Sequence, residues 1–127
     1  MLAIPLDTKH STTISKLYGN APFFALLDMG CGTFSVLENK ECGNGIKTAE
    51  FISATRATKT IYLHMGEGVY KSLVANCVEV YATKNEATTI DDIYINFENQ
   101  KFQKLDSHNY KDLLDSGTTS CKCGCAK

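Results

Sequence analysis

The chain has almost no net charge: thirteen Lys and Arg stand against fourteen Asp and Glu, a formal −1 at pH 7. There is therefore no basic field to attract nucleic acid and no polybasic patch for anionic lipid. No apolar run approaches the length of a bilayer span, so no membrane partner is expected. The N-terminus, Met1-Leu2-Ala3-Ile4-Pro5, meets Asp7 without the charged and apolar regions of a secretory signal, and the expectation is a cytoplasmic protein. No segment is biased toward disorder, and no internal repeat is found. Enzyme signatures are missing as well. There is no Ser–His–Asp or phosphate-loop pattern. Two-metal nuclease chemistry needs several carboxylates on a sheet. Asp7 is the one strand-end candidate, while Asp91 and Asp92 read as helix-start residues. A protein without catalytic chemistry is the expectation.

What the chain does have is sulfur. Six cysteines occur in 127 residues, three of them in the closing run Cys121-Lys122-Cys123-Gly124-Cys125-Ala126-Lys127. Thiols stay reduced in the cytoplasm, which argues for metal or redox work rather than a disulfide framework. Closely spaced thiolates are what soft metals and iron–sulfur clusters select. The spacing is not that of a closed zinc cage. Cys121, Cys123 and Cys125 are therefore the expected metal ligands, for an iron–sulfur or iron/molybdenum–sulfur cluster, with copper as a further option. The competing reading is a thiol redox or soft-metal-handling module acting through the tail alone, since cysteines one residue apart form strained disulfides that exchange readily.

The length suits one domain with a single core. Apolar runs at Ala3–Leu6, Phe23–Leu27 and Thr33–Glu38 read as strands, the last two joined through Met29-Gly30-Cys31-Gly32, where glycine tolerates a hairpin turn. Thr60–His64 and Val78–Ala82 supply two more. Three helices intervene. Ile46–Ala57 follows Gly43-Asn44-Gly45. Val69, Leu73 and Cys77 form a stripe after Gly66-Glu67-Gly68, which places Cys77 in the core. Ile90, Ile93, Tyr94 and Phe97 form a third stripe, capped by Thr88 or Thr89. A helix between the fourth and fifth strands implies parallel pairing through a right-handed crossover. Pro5 conflicts with a central strand, because it donates no ladder hydrogen bond. Beyond Lys104 the composition turns polar, and Ser107 reads as the cap of a short helix through Tyr110, Leu113 and Leu114.

Four segments in register carry a family resemblance: Ala3-Ile4-Pro5-Leu6-Asp7; Ile14-Ser15-Lys16-Leu17-Tyr18-Gly19-Asn20-Ala21-Pro22-Phe23-Phe24; Gly43-Asn44-Gly45-Ile46-Lys47-Thr48-Ala49-Glu50-Phe51; and His64-Met65-Gly66-Glu67-Gly68-Val69-Tyr70. The chain resembles the nitrogenase iron–molybdenum cofactor biosynthesis family, which includes NifX, NafY and the C-terminal domain of NifB. The resemblance runs from the start to about Leu105. It implies an α/β fold: a three-layer α/β/α ribonuclease H-like domain with a five-stranded mixed sheet, order 3-2-1-4-5, strand 2 antiparallel. It also implies that residues 1–105 form the cofactor-binding domain and 106–127 a cysteine-rich extension. The function it implies is a non-catalytic carrier or storage protein for a metal–sulfur cluster or its precursor, with a delivery or acceptor protein as partner. One departure stands out. Leu17 occupies the place of a family histidine proposed as a cofactor contact in some members, while Gly19 is kept.

Granted that topology, strands one, three, four and five end on one edge. Ligands of open α/β sheets bind in the crevice outside such ends. The expected cofactor-binding residues are His10, Cys42, Gly43, Asn44, Gly45, His64, Gly66 and Gly68. Two helices start there after glycine turns, and their unpaired N–H groups and dipoles favour an anion. Cys42 and His64 would add soft and borderline ligands. Cys31 falls at the opposite edge, and His108 reads as a surface residue.

Overall fold

In a computed structural model the described residues form one six-stranded mixed sheet with three helices. The structure describes residues 1–83, 87–99, 102–110 and 114. The elements are β1 (Leu2–Leu6), β2 (Phe23–Leu27), β3 (Phe34–Glu38), α1 (Gly45–Ser53), β4 (Lys59–Tyr62), α2 (Glu67–Ala75), β5 (Glu79–Ala82), α3 (Ile90–Glu98) and β6 (Gln103–Lys104). The sheet order is β3-β2-β1-β4-β5-β6. β2 is antiparallel to both β1 and β3, whereas β1, β4 and β5 run parallel.

The sequence predicts five strands; six are found among the described residues. β6 pairs antiparallel with β5, Tyr81 opposite Lys104 and Ala82 opposite Gln103. It is two residues long and exposed on both, so it carries no apolar alternation. It forms because β5 would otherwise leave a row of backbone groups unpaired. Leu105 N–H continues the pairing onto Val80 O at 2.8 Å.

Strand alternation divides the core into two halves. On one face, Ala3, Phe24, Leu26, Tyr62, Val80 and Ala82 pack with Ala49 and Ile52 of α1 and Val69, Tyr70 and Leu73 of α2. On the other, Leu2, Ile4, Leu6, Ala25, Leu27 and Ile61 pack with Ile90 and Ile93 of α3. The sheet thus has helices on both faces. α3 begins at a full capping box: Thr89 Oγ1 accepts from Asp92 N–H, and the Asp92 carboxylate accepts from Thr89 N–H.

Pro5 sits inside β1, opposite Phe24. The β1–β4 ladder spans only Leu2–Lys59 and Ala3–Thr60. Beyond it the Pro5 carbonyl accepts from Ser15 N–H at 2.7 Å. The carbonyl and nitrogen of a strand residue point to the same side, so the missing N–H faces the 13–15 segment and removes no bond from the β2 ladder.

α1 ends at Ser53 rather than Ala57, because Thr55 bonds locally. Its Oγ1 donates to Ile52 O at 2.6 Å and accepts from Ala57 N–H at 3.2 Å. Cys77 is exposed rather than in the core, at φ 66°. It is the left-handed residue that ends α2: Cys77 N–H bonds Val74 O and Val78 N–H bonds Leu73 O, both at 3.0 Å. Val78 takes the buried place the stripe assigned to it.

Candidate functional site

β3 runs parallel to β1, because both oppose β2. The C-terminal ends of β1, β3, β4 and β5 therefore lie on one edge, and α1 and α2 begin there. The two glycine turns meet. Gly43, Asn44, Gly45, Ile46, Gly66, Glu67, Gly68 and Val69 line one cavity of about 440 Å³.

Glycine is needed here for closeness. A Cβ on Gly45 would stand 2.6 Å from Val69 Cγ2, and a Cβ on Gly19 would stand 3.0 Å from the Gly45 Cα. The start of α1 is thus sandwiched between the 19–20 turn and the first turn of α2. Gly43 supplies a left-handed backbone at φ 93°, where a side chain would be strained. Its N–H bonds Gly19 O at 3.0 Å.

The polar accounting explains what the cavity prefers. Asn44 caps α1 by accepting from Lys47 N–H at 3.0 Å, and Thr48 N–H bonds Asn44 O at 2.9 Å. The N–H groups of Gly45 and Ile46 find no acceptor among the described residues. Gly66 gives α2 no side-chain cap, and the N–H groups of Gly68 and Val69 likewise find no acceptor there. Two helix N-termini thus present backbone donors to one space, and their dipoles add positive potential. The one carboxylate among the described lining residues is Glu67, which lies 2.7 Å from the Lys71 ammonium. That pairing offsets the charge that would oppose an anion.

Three expected ligands stand apart from this lining. Cys42 precedes it and is exposed, its thiol donating to Asn20 O at 3.0 Å. His64 is exposed and bridges Leu17 through the backbone, with Tyr18 N–H bonding His64 O at 3.1 Å. His10 lies in an exposed turn closed by Thr8 and Ser11. No group of three His, Cys, Asp or Glu side chains gathers among the described residues. Cys121, Cys123 and Cys125 lie outside the described residues. Cys31 is exposed in the β2–β3 turn, its sulfur 3.0 Å from Thr33 Oγ1.

Ile46, Glu67 and Val69 belong to the lining as well, although the sequence pattern marks them only as helix-stripe or turn residues. The signal that points to them is position, since each falls in the first turn after a glycine pair.

Residues 1–100 match the family model described as "Dinitrogenase iron-molybdenum cofactor". None of the curated proteins matches the chain. Among solved structures, the chain is similar to a Thermotoga protein provisionally assigned as NifB, determined by NMR. That match has 24% identity and a TM-score of 0.67, over 82% of this chain and 91% of that one. It is also similar to the orange protein of Desulfovibrio gigas in its apo form, with 16% identity and a TM-score of 0.73 over the same shares. At these identities the likeness is one of fold.

Proposed function

Because the chain belongs to the dinitrogenase iron-molybdenum cofactor family, we propose that it is a non-catalytic carrier or storage protein for an anionic metal–sulfur cluster or its precursor. The observation that carries this reading is the cavity where two glycine-led helix N-termini meet. Thiomolybdates and iron–sulfur clusters are anions rich in acceptor sulfur, and backbone N–H groups with aligned dipoles are what such a guest requires. The thiolates of Cys121, Cys123 and Cys125 bind exposed metal ions of the same guest. Cys42 and His64, on the same edge, are further donors within the proposal, and His10 is a weaker one. The proposal takes the helix–sheet–helix layering as the ribonuclease H-like fold, residues 1–105 as the cofactor domain and 106–127 as its extension. It places the protein in the cytoplasm, with a cluster donor or acceptor protein as partner. No helix among the described residues is long and apolar enough to cross a membrane.

Two measurements test it. Anaerobic reconstitution with iron, sulfide and molybdate is expected to give visible charge-transfer absorption and stoichiometric metal, both lost in the Cys121/Cys123/Cys125→Ser variant. Equal metal in both proteins removes the tail from the site. A reversible two-electron thiol couple with no chromophore favours the redox reading instead. The crevice is tested by Gly68→Asp. A Cβ at Gly68 meets only Ile46, at 3.8 Å, and a carboxylate in the first turn suits the helix dipole. The fold is expected to hold while tetrathiomolybdate binding weakens on the order of tenfold. Undiminished binding would show that the anion sits elsewhere.

A further inference from the structure

The two edges of the sheet differ. β6 ends one side with two exposed residues, Gln103 and Lys104, and so short and charged an edge is a poor template for pairing. β3 ends the other side with five residues that include neither proline nor lysine. Which of its backbone groups point outward follows from the ladder. Asp28 N–H bonds Thr33 O and Asn39 N–H bonds Pro22 O, both at 2.8 Å. Thr33, Ser35, Leu37 and Asn39 therefore direct their backbone groups at β2. Phe34, Val36 and Glu38 direct theirs away from it, as the alternation of an antiparallel ladder requires. No strand among the described residues covers that row.

The side chains add an apolar strip. Val36 is half-buried and packs in the core half under α3. Phe34 falls on the same face by alternation, yet 46% of it is exposed.

This strip is complementary to itself. A two-fold axis through Ser35, perpendicular to the sheet, sets Phe34 opposite Val36 of a second copy, and Val36 opposite its Phe34. Both are pairs in which the two residues exchange N–H···O bonds. Both also place an aromatic ring beside a β-branched side chain, a favoured cross-strand pair. Charge agrees with the same register. Glu38 meets Gly32 of the second copy and no carboxylate. Lys40 is exposed and falls opposite Gly30, whose N–H is held by the Asp28 carboxylate at 2.8 Å. Each ammonium is thus brought to the turn that carries the other copy's Asp28. Moving the axis to Val36 loses this match, because Phe34 then faces Glu38.

We propose that the β3 edge is a docking surface for a second copy of this chain, the two β3 strands joining antiparallel, Phe34 against Val36, into one continuous sheet. The seam is short. Five residues a side is far fewer than the ~20–30 of a standard interface, so the pair is reversible and concentration-dependent. It leaves the crevice open. β3 runs parallel to β1, so antiparallel β3 strands turn the two crevices toward opposite ends of the shared sheet. The pairing goes beyond the carrier reading, and neither depends on the other.

Sedimentation equilibrium under reductant tests it. Between about 10 μM and about 500 μM chain, the average mass is expected to rise from the monomer toward the dimer. Phe34→Lys places a charge on the edge at an exposed position, and is expected to weaken the association by about tenfold. Cysteine cross-linking reads the register. All six native cysteines are replaced by Ser, and one thiol is placed by Ser35→Cys at the axis or by Gln103→Cys at the β6 edge, both exposed positions. The two residues at the axis form a non-hydrogen-bonded pair with Cα atoms about 4.5 Å apart, within the range a disulfide spans. Diamide oxidises the two thiols, and two protons and two electrons pass to its azo bond. The Ser35→Cys chain is expected to give covalent dimers about tenfold faster than the Gln103→Cys chain. A native chain that stays monomeric at the highest concentration would overturn the pairing and leave the edge to an extended segment of another protein. Association unchanged in Phe34→Lys, or equal cross-linking at the two edges, would overturn it as well. If Phe34→Lys fails to fold, the native mass and the comparison of the two cysteine positions decide.

Discussion

Cys77 holds φ at 66° where α2 ends, a conformation that costs a residue with a Cβ roughly 1 kcal/mol or more relative to glycine. The helix stop is otherwise complete, with both terminal backbone bonds made and Leu73 and Val78 buried together. Cys77→Gly should therefore raise stability by about 0.5–1 kcal/mol, the gain from relieved strain being partly offset by the freer unfolded chain. The urea midpoint should rise at unchanged slope. A lower midpoint would mean the thiol makes a compensating contact. The same residue shows a limit of periodicity. Val69, Leu73 and Cys77 fit a helical stripe, but spacing alone cannot tell where the helix stops. The nearest signal was Asn76, a residue type at home at helix ends. Pro5 was legible as a problem and not as a solution: nothing in β1 itself says that its missing donor would face Ser15.

At the scale of elements, the glycine turns were the most informative text in the sequence. Gly43-Asn44-Gly45 and Gly66-Glu67-Gly68 marked where two helices start, and both starts are found within a residue or two. What no single turn could say is that the two helices begin in contact. That contact is a matter of side-chain volume: the α1 backbone at Gly45 fits against Val69 because no Cβ is there. Gly45→Ala should thus cost about 1–3 kcal/mol by overpacking, despite alanine's better helix propensity. Val69→Ala alone should also destabilise, by loss of a largely buried side chain. The double variant should be more stable than the sum of the two losses, with a coupling of about 0.5–2 kcal/mol in chemical denaturation. Strict additivity would mean that the helices have room to separate. It would also mean that the cavity does not depend on their close approach.

At the scale of the molecule, alternating apolar runs and intervening helices made the mixed sheet readable, and strand direction then made the shared edge readable. The sixth strand was not, since Gln103 and Lys104 carry no apolar signal and pair only because β5 has an open edge. Nor was the return of the chain onto α2, which depends on Asp106 reversing it. Two backbone N–H groups, from His108 first and Asn109 second, hold the Asp106 carboxyl below the usual carboxylate range. A carboxylate depressed in the folded form stabilises that form above its free value, and the contribution disappears as pH falls through the lowered one. Acid should therefore loosen the turn, and with it the Tyr110–Tyr70 stack, before the sheet itself unfolds. Ring-proton shifts of Tyr70 and Tyr110, followed by NMR as the solution is acidified, should move together in this range while Phe24 and Ile61 signals stay in place. Asp106→Asn keeps a side-chain carbonyl acceptor but removes the titration, so its tyrosine shifts should lose this acid limb. Tyrosine shifts that stay constant until the whole fold melts would detach the Tyr110–Tyr70 stack from the turn.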